Sequence, residues 1–403
     1  TISAIFILVF FAVYASSCFV TCGKLFSTLF GYSYHSMLIA GAIFVVIYTF
    51  LGGFLAESAS DFMQAIVMVV ALVTVLVTGT VHAGGIDAVI ENARAIPGYL
   101  SLTSLASPTL DANGVQQVIN GVPQFGEPAP YGFLKIVSTM SWGLGYFGIP
   151  QVLLRFMAIR KVDELKKSRR IATVWVLISL FAAVAIGVMG RVLFPTEASL
   201  LTASGAESIF IALSKSLLPA ILAGVVMAGI LAATISSSDS YLLIASSAFA
   251  KNIYEKSPKA VSIFKKFTKM SDDDKSVMFV SRIALLVISV LGVAIAWKED
   301  SVIFDIVSFA WSGFGATFGP IMLFSLFWKR TTYQGAIAGM VSGAFMVFFW
   351  KLKLAPMGGV WAIYELLPAF IFSAIMILVV SLCTKKPSAE ITEEFEKAKA
   401  YTE

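Results

Sequence analysis

The sequence predicts an all-α membrane protein, a polytopic helical bundle, and three observations carry that expectation. Of the 403 residues, 58% are hydrophobic. Only 13% are charged, where a soluble domain carries about a quarter. Apolar runs of about 20 residues recur along nearly the whole chain, each long enough to cross roughly 30 Å of hydrocarbon as a helix. The mean hydropathy of +0.87 agrees. Repetition of such runs means a bundle embedded in the lipid bilayer, not a single anchor.

Ten spans are expected, over residues 2–20, 37–51, 61–81, 133–159, 171–190, 219–250, 277–297, 302–328, 335–350 and 361–382. The connections orient them. Residues 160–170 carry six Lys/Arg and 251–275 carry seven, Lys329 and Arg330 fill a tight turn, and the tail adds four. If the spans alternate, these segments fall on one side, which the positive-inside rule makes cytoplasmic. The expected location is the inner (plasma) membrane, with a single membrane domain over 1–384 and a cytoplasmic tail over 385–403. Between His82 and Tyr131 the only basic Lys/Arg residue is Arg94, while Pro97, Pro108, Pro123, Pro128 and Pro130 interrupt the stretch. It reads as an exported, solvated connector with one short helix.

The chain starts at Thr1 without the basic segment and cleavage site of a signal peptide, so a preceding segment is expected. Cys18, Cys22 and Cys383 form no framework of pairs. His35 and His82 match no zinc-ligand or triad spacing. No P-loop, zinc-protease or nucleophile-elbow pattern occurs, which argues against an enzyme.

Most spans are plain Leu, Ile, Val and Phe, but two are different. Residues 133–159 hold Trp142, Gly143, Gly145, Tyr146, Gly148 and Pro150 within nine positions. Gly costs about 1 and Pro about 3 kcal/mol in a helix interior. Such an interruption either frees backbone groups to bind a solute or ion near mid-membrane, or marks a kinked helix whose glycines permit close packing. Trp142 and Tyr146, one turn apart, favour a pocket. In the second span, Ser236, Ser237, Ser238, Asp239 and Ser240 sit inside an apolar helix. Positions 236, 239 and 240 share one face, with 237 about 100° away, so hydroxyls and a carboxylate converge. A hard monovalent cation takes such oxygen ligands. An Asp in a span costs roughly 2.5 to 3.5 kcal/mol and normally faces the bundle interior or water. Asp61, beside Glu57, Ser58 and Ser60, opens the third span and on its own reads as a helix cap at the interface. Arg155, Lys135, Arg191 and Asp305 lie near span ends and are expected to snorkel or pair.

At these residues the chain resembles the sodium/solute symporter family. Tyr48, Thr49, Gly52, Gly53, Phe54 and Ala56, followed by Asp61, fit one family signature, and SSSDSYLLIASS from Ser236 fits the second. WGLGYFGIPQVLLRFMA from Trp142 and SFAWSGFGATFGP from Ser308 resemble the proline branch. The resemblance implies a LeuT-like core of two five-helix inverted repeats with a broken helix in each, here lacking about three N-terminal helices. It implies Na+ as coupling ion, held by the Ala233 carbonyl, Ser236 and Ser237. Tyr14, Trp142, Tyr146 and Pro150 would shape the substrate pocket. A second Na+ site would draw on Asp61, Ser236, Asp239 and Ser240.

The implied activity is sodium-coupled uptake of a small solute by alternating access, with L-proline first. Sialic acid, pantothenate and monocarboxylates are the other solutes to weigh, and a sensor or channel on the same fold stands further off. Ile149, Gln151 and Ser237 depart from the proline pattern, which bears on the substrate more than on the ion. Nothing in the sequence calls for nucleic acid or a protein partner.

Overall fold

In the computed structural model, residues 1–51, 54–268 and 273–402 are described. Gly52 and Gly53 of the first signature lie outside them. The helices run α1 (Ile2–Phe30), α2 (Tyr34–Leu51), α3 (Phe54–His82), α4 (Ile86–Ala95), α5 (Phe133–Met140), α6 (Trp142–Gly145), α7 (Pro150–Met157), α8 (Glu164–Leu193) and α9 (Ala203–Ala206). They continue as α10 (Ile209–Leu217), α11 (Ala220–Phe249), α12 (Pro258–Thr268), α13 (Asp273–Ile295), α14 (Ile303–Phe327), α15 (Tyr333–Phe349), α16 (Leu366–Cys383) and α17 (Ala389–Thr402).

Among the described residues, nine helices are long and apolar enough to cross a membrane: α1, α2, α3, α8, α11, α13, α14, α15 and α16. The tenth expected span, 133–159, is split into α5, α6 and α7, none of which is long enough alone. Helices also extend further than the apolar runs, because polar groups at their ends find partners. α1 continues to Phe30, stopping where Gly31 takes φ 73° and returns its N–H to the Ser27 carbonyl, the usual left-handed helix stop. Inside it, the hydroxyls of Ser16, Ser17 and Thr21 donate to carbonyls three or four residues earlier, which removes the cost of bare hydroxyls in hydrocarbon. Asp61 is not the cap expected for it. α3 already runs from Phe54, so Asp61 lies two turns inside the helix.

The core sits where α1, α11, α13 and α14 meet. Phe10, Phe11, Phe19 and Phe314 are fully buried there, and the Phe11 and Phe314 rings lie 4.5 Å apart. Small residues let the helices approach closely. A Cβ on Gly229 of α11 would stand 2.8 Å from Ala71 Cβ of α3, and one on Gly313 would stand 2.2 Å from the Phe10 ring.

The connector over 83–131 is more ordered than a solvated loop. Besides α4 it carries β1 (Ser104–Leu105), β2 (Val118–Ile119), β3 (Val122–Pro123) and β4 (Ala129–Pro130), with β1 antiparallel to β4 and β2 to β3. It is anchored to α8: Arg191 donates to Gln116 at 2.8 Å and its guanidinium lies 4.8 Å from the Phe125 ring. Arg191 therefore pairs, as expected of it.

Candidate substrate and cation sites

The break in the 133–159 span follows from its residues. Pro150 starts α7 at its first turn, where a missing N–H costs nothing. Ile149 before it is extended, with φ −81° and ψ 116°, as a residue preceding proline prefers. Residues 146–149 thus leave the helical path between α6 and α7.

The glycines of this segment serve close packing as well. A Cβ on Gly148 would stand 2.4 Å from the Phe314 carbonyl oxygen and 2.6 Å from the Gly319 nitrogen, and one on Gly145 would fall 2.0 Å from Trp311 Nε1. Gly143 has nothing within 4 Å. The helix is thus interrupted, and two of its glycines serve close packing, Gly148 against the backbone of α14 and Gly145 against the Trp311 side chain.

Around the break the aromatic side chains gather. The Trp142 ring stacks with Trp311 at 5.1 Å, Phe304 at 5.5 Å and Tyr364 at 5.8 Å, and Trp311 Nε1 donates to the Trp142 carbonyl at 2.9 Å. Tyr146, half exposed, meets Trp311 edge-on at 4.8 Å. Tyr14, buried on α1, stacks on Tyr241 of α11 at 4.1 Å. Tyr14, Ile149, Tyr241, Trp311 and Phe314 belong to one buried cluster, with Trp142 packed against it. Pro150 is half-buried at the head of α7. The sequence did not single out Tyr241, Trp311 or Tyr364, although Trp311 lies in a segment that carried the resemblance.

Ser312, next to Trp311 on α14, meets a buried acid. Glu365 is 3% exposed and accepts from Ser312 Oγ at 3.2 Å, with Lys351 Nζ 4.0 Å away. It precedes the span of α16, and burial holds its carboxyl above the usual carboxylate range, partly offset by Lys351 and Ser312.

On α11 the polar run turns inward. Ser238, Asp239 and Ser240 are buried, and Ser236 and Ser237 half-buried. Ser236 Oγ donates to the Ala233 carbonyl at 3.0 Å, so two expected ligands already touch. Asp239 Oδ1 accepts the Ser240 N–H at 2.8 Å, while Asp239 Oδ2 is buried with no partner. Ser240 Oγ has two acceptors within reach of its one hydrogen, Glu57 Oε1 of α3 and the Ser236 carbonyl at 3.2 Å.

Arg155 completes the cluster. Its Nη2 lies 3.1 Å from Glu57 Oε1, 2.6 Å from Asp61 Oδ2 and 3.2 Å from Ser240 Oγ. One guanidinium thereby joins α3, α7 and α11. Arg155 places Asp61 of α3 alongside Ser240, which neighbours Asp239 on α11. Neither Glu57 nor Arg155 was assigned a role from the sequence. The available signal was a charged residue inside an apolar span, which normally faces a polar interior.

Residues 1–343 match the Sodium:solute symporter family. The chain belongs to that family. As a family member it is a multi-pass membrane transporter whose coupling ion is Na+. It is 36% identical over 401 residues to a sodium/proline symporter of Staphylococcus aureus, covering 99% of this chain and 72% of the relative. Against the corresponding protein of strain USA300 / TCH1516 the identity is 35% with the same coverage. Among solved structures, the substrate-bound, outward-open state of a Na+-coupled sialic acid symporter matches with a TM-score of 0.68 at 18% identity. That match covers 96% of this chain and 76% of the other. This family member therefore shares the LeuT-like fold, in which a helix interrupted at mid-membrane is the recurring device.

Proposed function

We propose that this transporter carries L-proline into the cell together with Na+, by alternating access across the plasma membrane, with its C-terminus in the cytoplasm. The observation that carries the substrate is the similarity to sodium/proline symporters over nearly the whole chain. The local chemistry suits it. A small amphipathic ring fits an aromatic wall of Trp142, Tyr146, Pro150 and Tyr14, and carbonyls of the interrupted segment 146–149 would accept from its secondary amine, the Phe147 and Gly148 N–H groups being bonded to the Leu144 and Gly145 carbonyls.

For the ion we assign the Ala233 carbonyl, Ser236 and Ser237 as ligands from α11, with Asp61, Ser236, Asp239 and Ser240 forming a second cation site. Na+ would replace the Ser236 to Ala233 hydrogen bond and take both oxygens. Binding from outside biases the bundle towards holding substrate, and both leave inside after the core rocks. One charge crossing 100 mV supplies about 2.3 kcal/mol. A tenfold Na+ gradient adds about 1.4 kcal/mol, so one ion supports roughly five-hundredfold accumulation.

The Na+-coupled sialic acid symporter that shares the fold motivates the rival substrate. Competition decides between them: unlabelled proline in excess should abolish uptake of labelled proline by proteoliposomes, and sialic acid, pantothenate or a monocarboxylate should not. Uptake of labelled sialic acid that proline fails to inhibit would replace the substrate assignment.

A further inference from the structure

We propose that Glu57 is a further ligand of the second cation site, and that Arg155 is the tethered counter-ion which Na+ must displace to occupy it. This rests on the reading of Asp61, Asp239 and Ser240 as that site.

The first ground is the position of Arg155 Nη2. Three oxygens from two helices converge on this one atom, at 3.1 Å (Glu57 Oε1), 2.6 Å (Asp61 Oδ2) and 3.2 Å (Ser240 Oγ). A guanidinium Nη carries two hydrogens and serves two acceptors well. A spherical cation accepts three oxygens at once and has no such limit. The oxygen arrangement is thus better matched to an ion than to the arginine that fills it.

The second ground is charge and unmet bonding. Glu57, Asp61 and Asp239 interact electrostatically around the single charge of Arg155. Asp239 is 1% exposed, yet its Oδ2 has no hydrogen-bond partner, and Asp61 Oδ1 and Gln151 Oε1 are likewise buried and unpartnered. Buried acceptors are nearly always satisfied. Gln151 stands one turn before Arg155 on α7, so its free oxygen sits on the same side of that short helix.

The third ground is asymmetry of access. The Arg155 side chain is 43% exposed, against 5% for Glu57 and 16% for Asp61. The guanidinium can withdraw to water by rotating its own side chain, while the acids stay. α7 has only eight residues and begins directly after the break, and this guanidinium is a polar tie from it to α3 and α11. Entry of Na+ would release that tie. The apparent Na+ affinity is then reduced by the fraction of molecules in which Arg155 holds the site.

The test is a Na+ titration of the full chain, read twice: as proline uptake by proteoliposomes and as Na+-dependent thermal stabilisation of the detergent-solubilised protein. Arg155→Gln removes the competitor and should lower the half-saturating Na+ concentration about threefold or more. Glu57→Gln removes a ligand and should raise it by a similar factor. Arg155→Lys, which keeps the charge without the fork, should fall between wild type and Arg155→Gln. If Arg155→Gln does not fold, Glu57→Gln decides. A half-saturating concentration that stays put or rises in Arg155→Gln, or stays put in Glu57→Gln, overturns the inference while leaving Na+-coupled uptake intact. Absence of any Na+ response in the wild type overturns the function and this inference together.

Discussion

Glu207 binds Lys24 at one end of the bundle, Oε2 to Nζ at 3.0 Å, with both side chains largely buried at 20% and 12% exposure. The same carboxylate accepts the N–H groups of Ile303 and Phe304 at 3.0 and 2.9 Å, so it also caps the start of α14. Lys24 is held further by Ser204 Oγ and the Ser301 carbonyl, both within 2.8 Å. An acid at a helix N-terminus meets the positive end of the helix dipole, and here it fastens α1, α14 and the segment around α9 to one another.

Removing that acid leaves a mostly buried ammonium without its counter-charge and two amide groups without an acceptor. Glu207→Ala should therefore destabilise the protein by about 2 to 4 kcal/mol. A melting curve in detergent checks this, and Lys24→Met/Glu207→Leu should recover part of the loss because the pair is replaced by apolar volume.

The glycines of the broken helix should differ sharply in tolerance. Gly148→Ala places a methyl group against the backbone of α14 and Gly145→Ala places one inside the Trp311 ring, so both should lower yield and melting temperature. Gly143→Ala meets open space and should be well tolerated. Equal behaviour of Gly143→Ala and Gly148→Ala would contradict the close approach of the interruption at Gly148 to α14.

If Ala233, Ser236 and Ser237 bind Na+, then Ser236→Ala and Ser237→Ala should raise the Na+ concentration for half-maximal uptake about tenfold, equivalent to some 1.4 kcal/mol per lost ligand. Ser246→Ala, which removes a hydroxyl that donates to the Leu243 carbonyl of its own helix, should leave that concentration near the wild-type value. The comparison separates loss of a ligand from loss of any hydroxyl on α11.

Orientation can be tested without mutation. Cys383 at the end of α16 is exposed, while Cys18 and Cys22 are buried in α1. A membrane-impermeant maleimide should label Cys383 in inside-out vesicles and leave it unlabelled in right-side-out ones. The reverse would invert the proposed topology.

The spans, their order and the interrupted segment were legible because hydropathy and helix-breaking residues are local properties of the chain. Lateral contacts were not. Arg155 meets Glu57 and Asp61 from 98 and 94 positions away, and no local pattern brings them together. Asp61 was legible as a polar residue but misread as a cap, because the apolar run begins after it while the helix begins before it. Lys24 was passed over for a similar reason: its partner Glu207 lies in a connection between spans, beyond the reach of span-by-span reading.

A Na+ gradient should drive this protein to concentrate a small solute. Purified protein in sealed proteoliposomes, given labelled proline with an inward Na+ gradient and an interior-negative potential, should accumulate it above the external concentration, and should lose that accumulation when Na+ is replaced by choline. Equal uptake with and without Na+, or a plateau that never exceeds equilibrium, would contradict it.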